Sequence, residues 1–67
     1  MAANWIKVYT TSDFFKAELV KQVLIENEME AILMNKKDSS YQFGEIQILV
    51  PELQFAQAIE LITQNNL

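Results

Sequence analysis

Cysteine, histidine and arginine are absent from this 67-residue chain, which also has one glycine and one proline. Small secreted domains usually need disulfides, so the absence of cysteine predicts a reducing, cytoplasmic location. The absence of both cysteine and histidine removes the usual nucleophile–base pairs and the best transition-metal ligands. We therefore expect no enzyme, no metal and no cofactor, although acid–base chemistry by carboxylates alone stays open. One glycine supplies neither a phosphate-binding loop nor the turns of an all-β barrel.

Positive charge and long apolar runs are also scarce. Five lysines are outnumbered by nine acidic residues, which gives a net charge of −4. Nucleic-acid binders normally gather positive charge against the phosphates, so we expect no nucleic-acid partner. No apolar run approaches the roughly 18 residues that cross a bilayer, and the start of the chain does not read as a signal peptide, so we expect no membrane partner. Apolar residues make up 51% of the chain, which predicts a globular core.

The order of strand and helix patterns predicts a single domain over residues 1–67, with frayed ends at 1–4 and 63–67. Strands are predicted over 5–10, 30–34 and 45–50 from runs of β-branched and apolar residues. A helix from Asp13 to about Asn27 follows the first strand, with Ser12 as its expected N-cap. Pro51 ends the third strand and precedes a second helix.

Each predicted helix has an apolar stripe that should face the core. In the first helix the expected stripe is Ala17, Leu19, Val20, Val23 and Leu24. In the second helix it is Phe55, Ala58, Ile59 and Ile62.

This order predicts an α+β, ferredoxin-like split β-α-β fold. The three strands should form a sheet in the order 1-3-2, with both helices on one face and the closing fourth strand missing or vestigial. Strand one then has an unpaired edge, and the uncovered face should carry Trp5, Lys7, Tyr9 and Leu49, together with alternate residues of strand two. We expect a homo-oligomer, formed through this edge or this face.

Four segments of the chain resemble a known family. They are residues 8–13 (VYTTSD), 16–21 (KAELVK), 33–41 (LMNKKDSSY) and 43–46 (FGEI). In these segments the chain resembles the small prokaryotic signal-transducing proteins, a bacterial family. The resemblance implies a ferredoxin-like fold related to the PII (GlnB-like) regulators, which carry a signalling loop between strands two and three. It implies no particular ligand or reaction.

The connection from Asn35 to Gly44 is the main candidate site. Its lysines, hydroxyls and backbone amides could hold a carboxylate or phosphate, and its hydroxyls could be modified. The candidate residues are Asn35, Lys36, Lys37, Asp38, Ser39, Ser40, Tyr41 and Gly44. The alternative is an ordinary solvated hairpin loop.

Two sets of apolar residues are candidate interfaces. Trp5 and Tyr9 should share the uncovered face of strand one, either as an interface or as partly exposed strand residues. Phe14 and Ile25 should project among the charged residues of the first helix, either as a docking surface or as isolated exposed residues. The sequence thus predicts a non-enzymatic regulatory or ligand-sensing module that takes a small anionic ligand or a protein partner. The alternative is an adaptor that docks through the edge or face of its sheet.

Overall fold

The computed structural model describes residues 4–37 and 44–67, and it has the predicted order of elements. The elements are β1 (Trp5–Thr11), α1 (Phe14–Glu26), β2 (Ile32–Lys37), β3 (Gly44–Pro51), a 3₁₀ helix (Glu52–Gln54) and α2 (Phe55–Gln64). Strand β2 begins later than predicted, at Ile32, and it also ends later because its pairing with β3 continues through Lys37.

The three strands form one sheet in the order β1-β3-β2, with β3 antiparallel to both neighbours. β1 and β2 are therefore parallel to each other, as a strand–helix–strand crossover requires. Both helices pack against the sheet, and their buried residues form one core cluster with alternate residues of β3. The predicted α+β, ferredoxin-like arrangement is confirmed, and within residues 4–37 and 44–67 no fourth strand follows α2.

The core lies between the helices and one face of the sheet, which we call the covered face. Its buried residues come from both helices, the turn after α1, and β3. They are Ala17, Val20, Leu24, Met29, Ile46, Ile48, Val50 and Ala58. The other side of the sheet, which no helix covers, is the open face.

The apolar stripes of the helices are narrower than predicted. Leu19 was expected in the core but is exposed, because it precedes the buried Val20 and so lies about 100° away around the helix. Phe55 and Ile59 of α2 are also partly exposed, while small Ala58 is buried against the core. A three-stranded sheet covers only a narrow arc of each helix, which leaves the flanking apolar residues in solvent.

The first turn of α1 is capped by Asp13, and the expectation of Ser12 was wrong. The Asp13 carboxylate accepts hydrogen bonds from the backbone N–H groups of Phe15 at 2.9 Å and Lys16 at 3.4 Å. β1 continues to Thr11, whose hydroxyl oxygen accepts from the Asp13 N–H at 3.0 Å. This extra strand residue moves the start of the helix one position along the chain.

The end of α1 is closed by two backbone hydrogen bonds. The Met29 N–H donates to the Leu24 carbonyl at 3.1 Å, and the Glu28 N–H donates to the Ile25 carbonyl at 3.0 Å. This Schellman pattern needs a left-handed residue, a role that glycine usually takes. Here Glu28 takes it, with φ of 65°. The closure turns Met29 into the core beside Leu24.

The end of α2 repeats the same closure, in residues that the sequence predicts to be frayed. Leu67 N–H donates to the Ile62 carbonyl at 3.0 Å, Asn66 N–H donates to the Thr63 carbonyl at 3.2 Å, and Asn66 has φ of 55°. Asparagine tolerates this left-handed conformation. Leu67 consequently packs against the core cluster.

Candidate interaction surface

A β-bulge in the middle of β1 decides which of its side chains reach the open face. Lys7 pairs with Leu49 and Tyr9 pairs with Ile48, so β1 has one residue more than β3 across this step. Val8 and Tyr9 both pack against the core cluster. Two consecutive residues therefore face the helices, and the alternation of faces shifts by one position after them.

Tyr9 consequently lies on the covered face, and the prediction that it shares the open face with Trp5 was wrong. Its ring packs against the core, and its hydroxyl donates a hydrogen bond to the carbonyl oxygen of Leu67 at 3.2 Å. The sequence prediction assumed an unbroken alternation from Trp5, which the bulge interrupts. Tyr9 thus joins β1 to the end of α2.

The open face carries an apolar patch that spans all three strands. Leu49, in the central strand, is half-buried and pairs with Lys7 on one side and Ile32 on the other. Trp5 is 40% exposed, Ile32 37% and Met34 42%. We call Trp5, Ile32, Met34 and Leu49 the open-face patch. The sequence analysis named Trp5 and Leu49 as residues of this face. The pairing of β2 with β3 shows that Ile32 and Met34 also belong to it.

Lys7 and polar residues border this patch. Gln47 of β3 pairs with Thr10 on one side and with Met34 on the other, so it marks the polar end of the open-face patch. Lys7 is exposed beside Leu49. Lys7 therefore places a positive charge at the border of the patch.

The predicted loop is shorter than expected, since three of its residues belong to β2. Pairing continues from Asn35 with Ile46, through Lys36 with Glu45, to Lys37 with Gly44. The ladder holds this polar segment in a strand even though its residues are poor strand formers. Asp38, Ser39, Ser40 and Tyr41 lie outside the described residues.

β2 ends and β3 begins at the same end of the sheet as the turn into α1. Thr11 at the end of β1 and Asn35 near the end of β2 both pair with Ile46. The first turn of α1 begins three residues after Thr11 and carries Phe14 and Phe15. We call this the hairpin end of the sheet.

The outer surface of α1 is more apolar than the sequence predicted. Phe14 and Ile25 are exposed as expected, but they lie about 16 Å apart along the helix and form no common cluster. Phe15 is 86% exposed, and Leu53 in the 3₁₀ helix is 97% exposed. Neither had been singled out. The position of Phe15, two residues before the buried Ala17 and so about 200° around the helix, is the signal that could have found it.

At the open face and on the outer surface of α1, the described residues present apolar side chains and solvent-exposed polar groups. Among residues 4–35 and 45–67, no polar or charged side chain is buried. Over the same part of the chain, no three acidic residues come together to hold a metal ion, and no helix has both the length and the apolar character to span a membrane.

The element order and the 1-3-2 sheet define the chain as a small ferredoxin-like α+β protein. Residues 5–66 match the family model described as "putative prokaryotic signal transducing protein". Because the match covers nearly the whole chain, the protein belongs to this family, as the sequence resemblance had indicated. No curated protein and no solved structure matches it.

Proposed function

We propose that the chain is a non-enzymatic, cytoplasmic regulatory module of signal transduction that acts by binding another protein through its open-face patch. The observation that carries this proposal is the exposure of several large apolar side chains on the sheet face that no helix covers. Trp5, Ile32 and Met34, on two different strands, are each more than a third exposed on this face. Grouped exposed apolar residues mark interaction sites, whereas single exposed apolar residues do not.

The chemistry of the patch defines the partner that it fits. A tryptophan and a methionine beside a half-buried leucine provide aromatic and adaptable contact area, the usual centre of a protein interface. Lys7 lies exposed beside Leu49 at the β1 side. The complementary surface is therefore an apolar protein surface that places a carboxylate against Lys7.

The second candidate function is the sensing of a small anionic ligand at the hairpin end. The observation that favours it is the ladder, which brings Lys36 and Lys37 to the end of the sheet where β3 begins at Gly44. In the ladder, Lys36 pairs in register with an acidic residue, Glu45. For this reason we rank ligand sensing below protein binding.

Substitution of one patch residue tests the main proposal. Met34→Glu places a charge in the patch, and we expect it to abolish retention of a specific partner from an extract of the source cells. The exposed position in a strand limits its cost to folding to about 1 kcal/mol. Leu53→Glu is the matched control, because Leu53 is even more exposed but lies in the 3₁₀ helix, outside the sheet. The retained protein is then purified and titrated against each variant.

Equal affinity of the purified partner for wild type and Met34→Glu would overturn the proposal. The ligand alternative is separated by thermal unfolding in the presence of nucleotides, amino acids and 2-oxo acids, since a ligand of the folded state raises the melting temperature. A shift that disappears in the Lys36→Ala, Lys37→Ala double variant would favour the hairpin end instead.

A further inference from the structure

The edge of β1 is better suited to pairing than the edge of β2. Both are outer strands of the sheet, and an outer strand presents unpaired backbone N–H and C=O groups. β1 has seven residues, which are all aromatic or β-branched except for one lysine, Lys7. β2 ends in two adjacent lysines, Lys36 and Lys37, which are residues that commonly protect an edge. Of the two outer strands, β1 therefore has the edge that is better suited to pairing with another strand.

The bulge restricts which strand can pair with this edge. Val8 and Tyr9 both face the covered side, whereas Lys7 before them and Thr10 after them lie exposed on the open face. In a regular strand these directions would alternate without a break. A regular strand pairs across the bulge with one residue fewer than β1, as β3 does. A strand that pairs with β1 residue for residue needs the same break at the same point, so that the facing directions match.

We propose that the strand is β1 of a second copy of this chain, which pairs antiparallel to the first. Both copies carry the same bulge, in which Val8 and Tyr9 face the same side. Antiparallel pairing aligns the two bulges when Val8 lies opposite Tyr9 of the second copy. The same register places Lys7 opposite Thr10 and Ile6 opposite Thr11. Every pair over Ile6–Thr11 then matches in facing direction.

Other antiparallel registers of the two β1 strands pair residues that face opposite sides of the sheet, or they pair like charges. A shift of one or two residues that keeps pairing across the bulge sets an open-face residue against a covered-face residue. The register centred on Lys7 also sets the two Lys7 side chains directly opposite, where like charges destabilise a strand pair. Registers that avoid the bulge use only a short part of β1.

The pairing joins the two sheets into one and places both open faces on the same side. Both helix layers lie on the other side, and Trp5 lies beyond the paired segment Ile6–Thr11. The open-face patch of each copy therefore remains available. This inference does not depend on the proposed partner, because Met34 belongs to β2, the strand farthest from the pairing edge.

The absence of native cysteine allows a clean cross-linking test. Lys7→Cys and Thr10→Cys chains are prepared separately, mixed in equal amounts and oxidised mildly. In the proposed register residues 7 and 10 of different copies are directly opposite, with Cα atoms about 5 Å apart, which suits a disulfide. Residue 7 and its own counterpart are offset by three residues, about 10 Å along the strand, which is too far.

We expect several-fold more disulfide-linked dimer in the mixture than with either variant alone. Linking of Lys7→Cys alone to the level of the mixture would overturn the register. Sedimentation of the unmodified chain provides the second measurement, in which we expect a dimer that dissociates on dilution. A monomer at high micromolar concentration would overturn the pairing itself, while the Met34→Glu experiment would still report separately on the open face.

Discussion

The two faces of the sheet differ in what their apolar residues do, although they come from the same strands. On β3, Ile46, Ile48 and Val50 alternate with Gln47 and Leu49. The first three are buried beneath the helices, and the other two lie half-buried on the open face. The covered face gains its burial within the chain, whereas we propose that the open-face patch gains its burial by contact with another molecule. Residues of one face should therefore control folding, and those of the other should control association.

The largest expected effect comes from a substitution on the covered face. Ile48→Ala removes a fully buried side chain from the central strand and should cost about 2–5 kcal/mol in the free energy of unfolding. A chain of this length has only about 3–10 kcal/mol in total, so the variant should be partly or largely unfolded. Urea denaturation followed by circular dichroism measures the loss.

Met34→Ala on the open face is the matched comparison. Its side chain is 42% exposed, so we expect a loss well below that of Ile48→Ala. Equal losses for the two variants would show that the open face is as important for folding as the covered face, and the distinction between them would fail.

Substitutions of the two aromatic residues of β1 should differ by a smaller amount in the free energy of unfolding. Tyr9→Phe removes the hydroxyl that donates to the Leu67 carbonyl, and we expect it to lower the free energy of unfolding by about 0.5–1.5 kcal/mol. Trp5→Phe, on the open face of the same strand, should change it by about 0.5 kcal/mol or less. Thermal and urea unfolding of both variants measure the difference. If Trp5→Phe proved the more destabilising, the assignment of the two residues to opposite faces would be wrong.

The fold was predictable because its signals are local or follow from chain order. The spacing of apolar residues changes from the strand pattern of residues 5–10 to the helical pattern after Asp13, and this change defined the first two elements. The crossover and hairpin connections then allowed β3 to insert between β1 and β2, antiparallel to both. These features do not depend on the detailed contacts of any one side chain.

The face of Tyr9 and the length of β2 could not be predicted in the same way. The bulge at Val8 exists only relative to β3, and a single strand sequence carries no record of its partner's register. Asn35–Lys37 reads as a loop by composition and is a strand because the ladder with β3 continues through it. On the open face, Trp5 and Leu49 lie where the sequence predicted and Tyr9 does not, while Ile32 and Met34 are alternate residues of strand two, which the sequence had predicted only as a set.

Fluorescence of the single tryptophan tests the central claim most directly. Trp5 belongs to the open-face patch and lies outside the proposed paired segment Ile6–Thr11, so at a fixed protein concentration a change in its emission on titration reports contact at this face. When the purified partner is titrated into the protein, we predict a saturable shift of the emission to shorter wavelength as water leaves the indole ring. Saturated binding with unchanged Trp5 emission would contradict the account, because the partner would then occupy a different surface.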